Sequence, residues 1–155
     1  MNTIEGPIID VGSGGGSPGL PLAVALPERR LTLLEAVRKK CEFLRTFAGE
    51  LANVDVVWGR AEEQELEAYA VALAKALAKP PVAAELTLPL VREGGRVVLW
   101  TGPSADLSAI EVASGLLGGR VESEEDGLVV LQKIGPTPPG FPRKPGLAKK
   151  RPLAR

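Results

Sequence analysis

The residues best placed to do chemistry lie in one short stretch, where Asp10 to Gly19 reads DVGSGGGSPG directly after the apolar run Pro7-Ile8-Ile9. Gly12, Gly14 and Gly16 carry no side chain to fill a ligand's volume or forbid positive φ, so the D-x-G-x-G-x-G spacing suits a nucleoside held against backbone. Glu35 follows about twenty residues later at the end of a second apolar run, where a carboxylate can accept hydrogen bonds from both ribose hydroxyls. Gly59-Arg60-Ala61-Glu62 closes a third run, at the place where an adenine edge would lie. Gly14-x-Gly16-x-x-Gly19 also satisfies the nicotinamide-dinucleotide fingerprint, so the glycines alone leave two cofactors open. A tight turn with no ligand is a third reading. Asp10 before the loop and the Gly59–Glu62 segment favour S-adenosyl-L-methionine.

The composition narrows the chemistry further. The 155 residues contain no histidine and a single cysteine, which removes imidazole catalysis and most zinc sites. No metal is expected. Cys41 falls at helical spacing with Val37, Leu44, Ala48 and Leu51, a core position, and a lone cysteine fits a reducing cytoplasm. Nineteen Lys and Arg balance nineteen Asp and Glu, so no overall field drives the chain onto a membrane or nucleic acid. Neither a signal-like start nor a membrane-length apolar run is visible, and a soluble monomer is expected.

The elements that must position these residues alternate in type. Apolar runs at Pro7–Val11, Leu31–Leu34, Val54–Trp58, Tyr69–Leu73 and Arg96–Trp100 read as strands. Between them, Pro18–Leu26, Val37–Leu51, Ala61–Glu67 and Pro81–Val91 read as helices, the last ended by Gly94-Gly95. Asp106–Leu117 is a further helix, and Arg120–Glu124 with Leu128–Lys133 forms a hairpin through Asp126-Gly127. This is an α/β fold, with a mainly parallel twisted sheet, helices on both faces and a C-terminal antiparallel strand pair. The organisation is a cofactor-binding domain over 1–134 and a basic, Pro-rich arm over 135–155. Pro138-Pro139 and Pro142 predict an extended arm without a helix.

The residues quoted resemble one family, the RsmG (GidB) methyltransferases of small-subunit ribosomal RNA. The resemblance rests on the loop from Asp10 to Leu22, TLLE at Thr32–Glu35, RKK-x-x-FL at Arg38–Leu44, GRAEE at Gly59–Glu63, and the ending from Thr137 to Gly146 with Pro152-Leu153. It implies a Rossmann-like class I methyltransferase fold, S-adenosyl-L-methionine as cofactor, and 16S rRNA or the small ribosomal subunit as partner, with guanine N7 as acceptor.

The cofactor-binding set it implies is Asp10, Gly12, Ser13, Gly14, Gly16, Ser17, Glu35, Ala36, Arg60, Ala61, Glu62 and Lys75. Gly12 and Ser17 would line the methionine side, Glu35 would bind ribose, and Ala61 and Glu62 adenine. Lys75, where the family carries an arginine, is the positioning candidate; lysine keeps the charge but loses the planar fork. Arg143, Lys144, Lys149, Lys150 and Arg151 are RNA-contact candidates. Thr101-Gly102 stands where the family commonly has Lys-Gly, and the several dozen helical residues that precede the first strand in the family are expected to be missing. The alternative is a catalytically silent remnant or RNA-binding module that keeps the cofactor fold. Trp58 and Trp100, which close strands, are read first as packing at the sheet margin and second as stacking platforms for a base.

Overall fold

The computed structural model describes residues 4–155. Its strands are β1 Ile8–Val11, β2 Leu31–Glu35, β3 Val54–Trp58, β4 Tyr69–Lys75, β5 Val91–Trp100, β6 Gly119–Glu125 and β7 Leu128–Lys133. The helices are α1 Gly19–Ala25, α2 Arg38–Ala48, α3 Pro80–Thr87, α4 Leu107–Gly115 and α5 Leu147–Lys150, with single 3-10 turns at Ala61–Glu63 and Leu88–Leu90. One sheet has the order β3-β2-β1-β4-β5-β7-β6. β1 to β5 are mutually parallel, and β7 runs antiparallel to both β5 and β6. Strand order therefore reverses at β1, between β2 and β4, where open α/β sheets leave a crevice at their carboxyl ends. Among the described residues, no helix is long and apolar enough to cross a membrane.

Each face of the sheet buries its own apolar cluster. On one face Ile9, Ala72, Ala74, Val97, Leu99, Val129 and Leu131 pack with Ala83, Ala84, Leu88, Ile110 and Leu117. The alanines of β4 and α3 let helix and sheet approach closely, which matters because α3 borders the crevice. On the other face Ile8, Leu31 and Leu73 pack with Ala23. Asn53, almost fully buried, donates its side-chain amide to the carbonyls of Ala23, Leu26 and Arg29 at 3.0–3.1 Å, satisfying the end of α1.

Asp10 braces this face from within β1. It is 1% exposed, and its Oδ2 accepts the Gly19 N–H at 3.1 Å, which fixes the start of α1 against the strand. A Cβ on Gly19 would come within 2.3 Å of Leu33 Cδ2 and 2.7 Å of Asp10 Oδ2. The last glycine of the loop is thus a packing requirement. Burial pushes the Asp10 carboxyl up to about 6, against the smaller opposing pull of its hydrogen bonds to Gly19 and Ser13.

Two expectations about the elements are corrected. The helix expected over Pro81–Val91 ends at Thr87, and Gly94-Gly95 lies inside β5, not at a helix end. The register between β4 and β5 shifts there, pairing Tyr69 with Val91 and then Val71 with Arg96. Gly94 takes φ +85° and a Cβ on Gly95 would sit 2.5 Å from the Ala70 carbonyl, so the glycines accommodate a bulge. A glycine pair after a helical pattern carries the same signature for either structure.

The second correction concerns residues 135–155, which fold back onto the domain and contain a helical turn, α5. Lys133 Nζ, fully buried, donates to the Leu88 carbonyl at 2.9 Å and to Thr137 Oγ1 at 2.7 Å, with Glu67 Oε1 3.8 Å away. Thr137 N–H donates to that same Glu67 oxygen at 2.7 Å. Desolvation lowers the Lys133 pKa while Glu67 raises it, and the amide of Thr137 lowers that of Glu67. Further along, Arg143 pairs with Glu85, and Phe141 and Leu153 pack on the core. Prolines ruled out a long helix without ruling out docking.

These two buried charges give separate expectations. In the native state Asp10 holds its proton more tightly than in the unfolded chain, so its contribution is fully present below pH 3.8 and is lost as pH rises through about 6. Asp10→Asn, which keeps the acceptor for Gly19 and never ionises, should gain stability relative to the parent by about 3 kcal/mol between pH 4 and 7. Urea unfolding of both proteins across that range measures the difference, and a difference constant with pH would rule out burial of this charge as its cause. Lys133→Met should lower stability by about 1–3 kcal/mol through loss of the ammonium hydrogen bonds to the Leu88 carbonyl and Thr137 Oγ1. Equal unfolding midpoints would show that the lysine contributes nothing net.

Candidate cofactor cleft

At the carboxyl ends of β1, β2 and β4, next to the reversal in strand order, lies a cleft of about 510 Å³, within the range of small-molecule sites. Its floor is the glycine loop. The loop is tied to β2 through the Leu34 carbonyl, which accepts the N–H groups of Gly12 at 2.8 Å and Ser13 at 3.0 Å. Gly16 N–H closes the turn on the Ser13 carbonyl at 2.7 Å, and Ser13 Oγ donates back to the Asp10 carbonyl at 2.9 Å. Gly12 takes φ +72° with a virtual Cβ only 2.7 Å from Leu77 Cδ1, whereas a Cβ on Gly15 would meet nothing within 4 Å. The loop is packed tightly on one side and open on the other.

Glu35 is the best-defined polar group of the cleft. It ends β2 and is 6% exposed; its Oε1 accepts the Gly14 N–H at 3.1 Å and its Oε2 accepts the Val37 N–H at 2.9 Å. A carboxylate oxygen has two lone-pair positions, so each oxygen keeps one acceptor position free. Backbone amides set the orientation of the carboxylate without exhausting it. Cys41 Sγ donates to the Glu35 carbonyl at 3.3 Å and is buried, and its burial pushes the thiol pKa up, the opposite of what a nucleophile needs.

The 3-10 turn after β3 also lines the cleft. Ala61 is nearly buried, and Glu62 is held on both oxygens: Oε1 accepts the Gly146 N–H at 3.2 Å and Oε2 lies 3.7 Å from Arg60 Nε. Lys75, at the end of β4, and Leu77 and Leu86 line the cleft as well.

Of the residues expected at a cofactor, the structure brings Gly12, Ser13, Gly14, Ser17, Glu35, Ala36, Arg60, Ala61, Glu62 and Lys75 to this one cleft. Asp10 and Gly16 do not line it. Asp10 braces α1, and Gly16 turns its α-carbon towards Leu20, whose Cδ1 would lie 2.4 Å from a Cβ there. Among the expected RNA contacts, Lys144, Lys149, Lys150 and Arg151 are exposed and Lys149 lines the cleft. Arg143 is not available in the same way, because its guanidinium is engaged with Glu85 and the Arg151 carbonyl. Trp58 is more than half exposed, its Nε1 donating to the Ala36 carbonyl at 3.1 Å and its ring facing the Arg38 guanidinium at 5.6 Å.

Sequence reasoning missed Lys40, Leu77, Leu86, Gly146 and Ala148 as lining residues. Lys40 sits in the RKK triplet beside Glu35, a usable signal. Nothing local marks Leu77 or Leu86, which reach the cleft only through the packing of β4 and α3.

Comparison with known proteins agrees with this geometry. A family described as GidB, rRNA small subunit methyltransferase G, matches residues 1–114. Proteins named ribosomal RNA small subunit methyltransferase G are similar along the chain: that of Synechococcus sp. (strain JA-2-3B'a(2-13)) is 37% identical over 95% of this chain and 64% of its own length. The one from Rubrobacter xylanophilus is 43% identical over 96% of this chain and 65% of its own length. The chain thus spans just under two thirds of these relatives. Among solved structures, the antibiotic-resistance methyltransferase Kmr superposes with a TM-score of 0.66 at 17% identity, covering 83% of this chain and 86% of its own. A predicted O-methyltransferase from Agrobacterium tumefaciens gives 0.63 at 17% identity, covering 81% of this chain and 71% of its own. These likenesses are to class I methyltransferase folds, and the antiparallel β7 between β5 and β6 sets this sheet apart from the dinucleotide-binding strand order 3-2-1-4-5-6. By sequence match and by fold, the chain belongs to the rRNA small subunit methyltransferase G (GidB) family.

Proposed function

We propose that this chain binds S-adenosyl-L-methionine in the cleft and directs its methyl group to N7 of a guanine in 16S rRNA within the small ribosomal subunit. The observation that carries the reading is Glu35, a nearly buried carboxylate aimed into the cleft by the Gly14 and Val37 amides with one acceptor position free on each oxygen. Two vicinal ribose hydroxyls are the natural complement of such a group. Gly15, with open space where a side chain would be, and Gly14, at φ +55° with only the Gly12 carbonyl 3.8 Å from a Cβ there, suit a ligand lying against backbone. The residues present fit the cofactor.

When bound, S-adenosyl-L-methionine supplies an electrophilic methyl group on a sulfonium centre. Glu35 would hold the ribose, Ala61 with the flanking Arg60 and Glu62 would border the adenine, and Gly12, Ser13 and Ser17 would line the methionine side. Guanine N7 presents its lone pair without a proton to remove, so the acceptor needs no general base, and a chain with no histidine is chemically sufficient. The work left to the protein is alignment and exclusion of water, worth on the order of 7–11 kcal/mol for well-oriented reactants. Lys75 stands at the end of β4 on the cleft, and its role in this reading is to orient the acceptor. Lys144, Lys149, Lys150 and Arg151 would meet RNA phosphates, contributing affinity without sequence information. We assign residues 1–134 to the cofactor domain and 135–155 to a basic segment docked on it.

Calorimetric titration with S-adenosylhomocysteine should give saturable binding, and absence of heat at millimolar ligand would remove the cofactor from the proposal. Glu35→Ala should weaken that binding by roughly 1.5–3 kcal/mol, the scale of a charge-assisted hydrogen bond. Undiminished affinity would mean that the ribose lies elsewhere. Incubation with small subunits from a strain lacking the modification should yield N7-methylguanine in the 16S rRNA; binding without turnover would favour a silent module that keeps the cofactor fold.

A further inference from the structure

The part of the cleft that no loop motif accounts for comes from the docked C-terminal segment. Gly146, Ala148 and Lys149 line it together with the glycine loop, and Ala148 is 3% exposed. Gly146 N–H donates to Glu62 Oε1, so the segment is hydrogen-bonded to a residue that itself lines the cleft. Arg143 ties the segment to α3. Its Nε and Nη2 each lie 2.5 Å from a different oxygen of Glu85, and Nη2 also donates to the Arg151 carbonyl at 2.8 Å, clasping the two ends of α5. Glu85 has a side chain only 3% exposed and immediately precedes Leu86 of the cleft. A bidentate pair of this kind fixes direction as well as distance.

We infer that Gly146–Lys149 is a cofactor-contacting wall of the cleft and that Arg143, through Glu85, is the positioning residue that holds it there. The inference rests on reading the cleft as the S-adenosyl-L-methionine site. A ligand that touches the wall binds the docked segment better than the undocked one, so occupancy and docking favour each other by the same factor. The segment then belongs to the binding site at the Ala61–Glu62 end, in addition to presenting cations to RNA.

Hydrogen exchange on the full chain, with and without saturating S-adenosylhomocysteine, tests this directly. Ligand should slow exchange of the amides from Gly146 to Arg151 along with those from Gly12 to Ser17. Protection confined to the glycine loop would overturn the wall while leaving the cofactor reading intact, and absence of any binding would overturn both. For the positioning role, Arg143→Ala should raise the S-adenosylhomocysteine Kd about tenfold, with Arg143→Lys recovering part of the loss. A merely structural residue would lower the unfolding midpoint with Kd unchanged at a temperature where both proteins are folded, and that result would overturn the assignment to Arg143. Should Arg143→Ala not fold, Glu85→Gln provides the same comparison from the other partner, with the same expected loss and the same overturning result.

Discussion

The hydrogen bond from Gly14 N–H to Glu35 joins the loop after β1 to the end of β2, residues far apart in sequence, and the shape of the cleft depends on it. A carboxylate at that depth would be costly if unpaired, and a glycine-rich loop would be mobile if untied. Each removes the other's difficulty. The Leu34 carbonyl adds two further ties from the same strand end, so the loop is registered against β2 before any ligand arrives. Pre-orientation of this kind lowers the ordering cost that binding would otherwise carry.

The constraint propagates outward through small residues. Gly19 must be bare so that α1 can start against Asp10 and Leu33, and the alanines of β4 and α3 bring the other helix layer close enough for Leu86 to border the same cleft as Glu35. The charges Asp10, Lys133 and Glu85 are buried at the places where an element is being fastened: α1 to β1, the segment after β7 to the Leu88 carbonyl, and α5 to α3. Burial of these groups is costly, and each is accompanied by directional hydrogen bonds that specify one arrangement.

How much of this could be read in the sequence follows the range of the interaction. β1, β2 and β3 with the loop and Glu35 were legible because strand, turn and acid are encoded within a few residues of one another. Gly94-Gly95 was misread because a helix end and a β-bulge both call for positive φ, and only the β4–β5 register distinguishes them. The docking of residues 135–155 was not legible at all, since it depends on Arg143 meeting Glu85 and Thr137 meeting Glu67 across long separations that leave no local pattern. Asp10 adjoins the loop and so suggests a ligand contact, but its side chain is buried against the start of α1 and does not line the cleft.

The position of β7 has a consequence for the order in which the sheet can be assembled. β6 precedes β7 in the chain but lies outside it in the sheet, separated from β5 by the later strand. During synthesis the free edge of β5 therefore finds no partner when β6 emerges. It waits until the turn at Asp126-Gly127 has reversed the chain. The hairpin is then expected to add as a unit, and until it does β5 offers an open, apolar edge to any neighbouring chain. On a crowded polysome, the interval between the two strands is when this fold is most exposed to mispairing.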